Sequence, residues 1–95
     1  MAGWLVERRL SQNVARLKEL RAELAQLDEQ YEVFTSDADD SAIRALVSET
    51  PGAAFEANDA RKHADAMRRH RQHVIDSIRE LERKQDELLD KLSKR

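Results

Sequence analysis

His63, His70 and His73 stand seven and three residues apart, with Asp59 four residues before the first. Imidazoles and a carboxylate at helical spacing are the raw material of a metal site. A metal needs three or four ligands converging on one point. Ligands strung along one helix face rise 1.5 Å per residue and spread too far to converge. No metal and no cofactor is therefore expected, and the histidines read as a solvated face that can respond to pH at an interface. They sit in the most basic stretch, residues 61–73, where Arg61, Lys62, Arg68, Arg69 and Arg71 can meet phosphates. Asp59, Asp65 and Asp76 punctuate that run, and no aromatics are interleaved to stack bases. Nucleic acid is not the expected partner. No nucleophile stands beside a base and no Gly-rich loop can cradle phosphate, so an enzyme is not expected either.

A second cluster is acidic. Asp37-Ala38-Asp39-Asp40-Ser41-Ala42 fits the pattern D-x-x-D-x-A. It resembles the coiled-coil tip of the DksA family, regulators that, like the Gre factors, insert a helical hairpin into the secondary channel of RNA polymerase. The resemblance covers six of 95 residues. It implies that Asp37, Asp40 and Ala42 are tip residues, with the carboxylates acting near the catalytic magnesium, for which hard oxygen ligands are chemically suited. Read by themselves, the same acids are the first turn of a helix, where the dipole favours negative charge.

Both clusters must be carried by helices. Charged residues make up 38% of the chain and aromatics 4%, with two Gly, one Pro and no Cys. Ala, Leu, Glu, Arg, Lys and Gln dominate, which is the composition of long helices, and a thick globular core is out of reach. The apolar series Val6, Leu10, Leu17, Leu20, Leu24, Leu27, Tyr31, Phe34 advances in alternating steps of four and three once Asn13 is included. A second heptad series runs through Ala60, Ala64, Met67, Arg71, Val74, Ile78, Leu81, Gln85, Leu88 and Leu92. Folded antiparallel, each layer pairs residues whose numbers sum to 98: Leu10 with Leu88, Leu17 with Leu81, Leu20 with Ile78, Leu24 with Val74. The same register sets Asn13 against Gln85, a polar layer that penalises slipped pairings. It also sets Arg71 against Leu27, with Asp28 and the Tyr31 ring as partners for the guanidinium.

One two-stranded seam buries little surface, so more is expected to be covered. Val14, Ile75 and Leu89 widen the seam at e positions, while Trp4 and Leu5 lie off it. These five residues are the expected contact with a second copy or a protein partner. At the g positions Arg9, Arg16, Lys84 and Lys91 face one another as a solvated basic flank.

Ser36 to Gly52 reads as an interruption of the repeat. Ser36 or Asp37 is expected to cap a short helix whose face, Ile43, Leu46 and Val47, packs on Ala53, Ala54, Ala57 and Ala60 with Phe55 nearby. Thr50 and Pro51 read as N-cap and first position of the last helix. The expected fold is all-α: an antiparallel coiled-coil hairpin in one domain, 1–95, with an arm at 4–36, a tip helix at 38–49, an arm at 51–93 and assembly into a dimeric bundle. The expected function is a non-enzymatic protein–protein interaction module, an adaptor or regulatory subunit. The alternative is a transcription-associated regulator using the acidic tip or the basic run. The apolar run Trp4–Val6 is too short for a secretory leader and no span of membrane length exists, so a cytoplasmic protein is expected. Arg outnumbers Lys by 12 to 5, which points to a bacterial genome rich in G and C.

Overall fold

The computed structural model describes residues 2–94, with no strand among them. Two helices account for nearly all of them: α1, Ala2–Ser48, and α2, Pro51–Ser93. They form a helical hairpin. Its pairing is best described in two compact units, one built from the described residues of Met1–Leu24 and His73–Arg95, the other from Ala25–Gln72.

In the first unit the heptad leucines do what their spacing demands. Leu17 is 1% exposed, and Leu20, Val74 and Ile78 are buried with it. Leu10, Leu24, Leu81 and Leu88 are half-buried around them. Asn13 is buried too, and its Nδ2 donates to the main-chain carbonyl of Leu81 at 2.8 Å. In the α2 ladder that carbonyl serves the amide of Gln85, which is half-buried. Asn13 thus satisfies its buried amide on the partner helix backbone, which a slide of one residue would break. Arg21 spans the helices to Glu82 at 3.4 Å.

In the second unit Leu27, Ala38 and Ala64 are buried, with Tyr31, Phe34 and Met67 half-buried. Arg71 takes its place in the seam and its Nε donates to the Asp28 carboxylate. The Phe34 ring stacks on His63 with centroids 6.2 Å apart.

The interruption expected at Ser36 does not occur. Residues 38–48 belong to α1, and the separate third helix is replaced by an unbroken one. The reason is that the heptad never stops counting: it changes size. Ala38, Ser41 and Ala45 continue the four–three steps after Phe34, and Ala53, Ala57 and Ala60 continue them on α2. All six are buried or half-buried, and their numbers again sum to 98 in pairs. With no Gly or Pro between Ser36 and Glu49, nothing breaks the helix, and acids in its interior cost only a few tenths of a kcal/mol each.

The large side chains expected to pack at this end are instead exposed: Ile43 60%, Leu46 77%, Val47 80% and Phe55 71%. Small residues hold the seam and displace the large ones to the outside. They also allow the reversal to be short. A link of two residues, Glu49 and Thr50, reaches about 10 Å at most, so the helices must come close where they join. Glu49 adopts φ 53° and its amide donates to the Ala45 carbonyl at 3.1 Å, an αL ending of α1. Thr50 caps α2 as its sequence predicts, its Oγ1 accepting from the Ala53 amide at 3.2 Å, with Pro51 as the first helical residue.

Candidate interaction surfaces

The first unit carries the residues expected to meet a partner. Trp4 is 56% exposed, Leu5 43%, and Val14 and Leu89 47% each. Ile75, in the same unit, is half-buried. Van der Waals contact within the unit covers only part of these side chains, and the remainder of each faces outward.

The same unit contains a groove of about 450 Å³ between the helices, floored by Leu81 and Leu88 and edged by Arg9, Arg16, Lys84 and Lys91. The g-position cations therefore do converge on one groove. Glu87 lies on its rim and Arg16 is paired with Glu19 at 3.0 Å, so part of the charge is compensated. Further along α2, Arg83 grips Glu80 with two hydrogen bonds, 2.6 and 3.1 Å, and reaches Glu87 as well. The Arg83 hydrogen bond holds the Glu80 carboxyl below its ordinary value, and Glu80 in turn raises the Arg83 guanidinium.

The second unit places the other candidates. Asp37 and Asp40 are exposed on α1 about three helical turns before the reversal, and Ala42 is half-buried. The reversal itself is Glu49–Thr50, so the acids stand along the shaft of the helix and not at its end. Asp37 and Asp40 line a groove of about 370 Å³ with Phe34, Phe55, Glu56 and His63. His63 pairs with Asp59 at 3.4 Å, one helical turn away. Among the described residues no three His, Asp or Glu side chains come together as a metal site would need. Of the basic run, Arg68 pairs with Asp65 and Arg71 with Asp28, while Arg61, Lys62 and Arg69 are exposed. No described helix is long and apolar enough to cross a membrane.

The outer face of α1 in this unit was not foreseen as a surface. It carries Val33, 60% exposed, together with Ile43, Leu46 and Val47. The signal was present: once Ala38, Ser41 and Ala45 are read as seam positions, these residues fall on the opposite side of the helix.

No family model, curated protein or solved structure matches the chain.

Proposed function

We propose that the chain is a non-enzymatic coiled-coil module for protein–protein interaction, an adaptor or regulatory subunit, and that it pairs with a second copy through the flank of Val14, Ile75 and Leu89 with Trp4 and Leu5. The observation that carries this reading is the exposure of four large apolar side chains, between 43% and 56%, on a unit that has a single seam to bury. Fully covering such a side chain is worth about 1.5–3 kcal/mol, so a self-complementary contact of this kind adds substantially to a thin core. The placement of Asp37 and Asp40 three turns from the reversal favours this module over a regulator that acts through an acidic tip.

Sedimentation velocity across a range of concentrations tests it. The wild type is expected to sediment as a dimer, and Val14→Ser/Leu89→Ser to shift toward monomer with its helix content retained. A wild type that stays monomeric at high concentration, with a variant of equal stability, removes the reading.

A further inference from the structure

We propose that the outer face of α1 between Val33 and Val47 docks a cationic amphipathic helix from another protein. This goes beyond pairing between copies and rests on a different unit and different residues. Val33 and Val47 are 60% and 80% exposed, with Ile43 at 60% and Leu46 at 77% between and beside them. Val33, Asp40 and Val47 repeat every seven residues, and Ile43 and Leu46 fall on the neighbouring rows. The inward seam of the same segment is already occupied, since Ala38 and Ser41 are 5% and 6% exposed. The stripe is therefore an apolar ridge broken at its middle by carboxylates, with Asp40 between Val33 and Val47 and Asp39 seven residues before Leu46.

Charge selects the occupant. Residues 28–59 hold nine carboxylates and one guanidinium, Arg44, and at one edge of the stripe Arg61 of α2 lines a groove with Ala42, Ala45 and Leu46. The Arg44 guanidinium donates to the Ser41 hydroxyl at 3.0 Å, a neutral partner that holds the side chain in place and leaves its charge uncompensated, so the carboxylates outnumber the cations without cancelling them. Glu29, Glu32, Asp39 and Asp40 are exposed on or beside the stripe. A second copy applied face to face would set these acids against their own kind, and an anionic lipid surface would be repelled by them. A helix with leucine-like residues along one stripe and lysine or arginine beside it meets both the ridge and its rim.

The test is fluorescence anisotropy with two labelled synthetic helices of the same leucine heptad, one flanked by lysine and one by glutamate. The lysine peptide is expected to bind the full chain, to weaken when salt is raised, and to lose at least about tenfold in affinity against Leu46→Ser/Val47→Ser. Both replaced side chains are mostly exposed, so the fold is retained, as circular dichroism will show. Val14→Ser/Leu89→Ser is expected to bind the peptide as wild type does, whether or not that variant still pairs with itself. Equal binding by the Leu46→Ser/Val47→Ser variant, or equal binding of the glutamate peptide, overturns the proposal. So does a change in the self-association of the chain caused by Leu46→Ser/Val47→Ser, which would show that a second copy covers the face.

Discussion

At the reversal two residues hold conformations or side chains that the fold does not require. Glu49 sits at φ 53°, where an L side chain crowds the following carbonyl at a cost of roughly 1 kcal/mol. Glycine has no such cost, so Glu49→Gly is expected to stabilise the hairpin by about 1 kcal/mol in urea denaturation. Gly52, one position into α2 from Pro51, has open space where a Cβ would stand and no positive φ. Gly52→Ala is expected to add about 0.5 kcal/mol through the lower entropy of the unfolded chain. Asn13 shows the opposite economy: a buried polar residue in the seam whose Nδ2 donates to the Leu81 carbonyl. A polar residue in a leucine seam penalises slipped registers that leucines alone would tolerate.

The continuity of α1 is a property of the element and can be tested as one. Asp37→Pro removes a main-chain hydrogen bond and drives the ring into the carbonyl of Val33. In an unbroken helix this costs about 3 kcal/mol or more, whereas at the first position of a new helix Pro is welcome. A large fall in the thermal midpoint is therefore the expected outcome, and a neutral effect would restore a break at Ser36. On α2 the Glu80–Arg83–Glu87 cluster has a pH signature. The folded carboxyl of Glu80 titrates below its unfolded counterpart because Arg83 holds it ionised. Its contribution is present above the ordinary carboxylate value and is lost as pH falls through the lowered one. Arg83→Ala is expected to reduce stability slightly at neutral pH, with the difference from wild type closing in acid. A gap that persists at low pH would assign the effect to packing of the arginine stem.

For the molecule as a whole, pairing between copies couples folding to concentration. If the Val14 and Leu89 flank is covered by a second chain, the thermal midpoint rises with protein concentration, by mass action. Calorimetry over about a hundredfold concentration range is expected to show that rise in wild type and to lose it in Val14→Ser/Leu89→Ser. Charge is distributed so that the two kinds of surface need not compete. The apolar flank of the first unit lies on segments that also carry a basic groove, and the apolar stripe of the second lies in the most acidic part of the chain.

The amino-acid sequence by itself determined the all-helical hairpin, its antiparallel pairing and the Thr50–Pro51 start of α2, because heptad spacing and the Thr-Pro pair act locally or through a strict period. The Arg71–Asp28 pair was legible for the same reason, since the register put a cation in the seam with one acid at hand. The continuation of the seam through Ala38, Ser41 and Ala45 was legible only in the spacing, and small residues carry too little hydrophobic contrast to announce it. The tertiary structure decided what followed. Close approach at a two-residue reversal admits small side chains to the seam and sends Ile43, Leu46 and Val47 outward. It also leaves Asp37 and Asp40 on the shaft of α1, because the helix runs on to Ser48 before the chain turns.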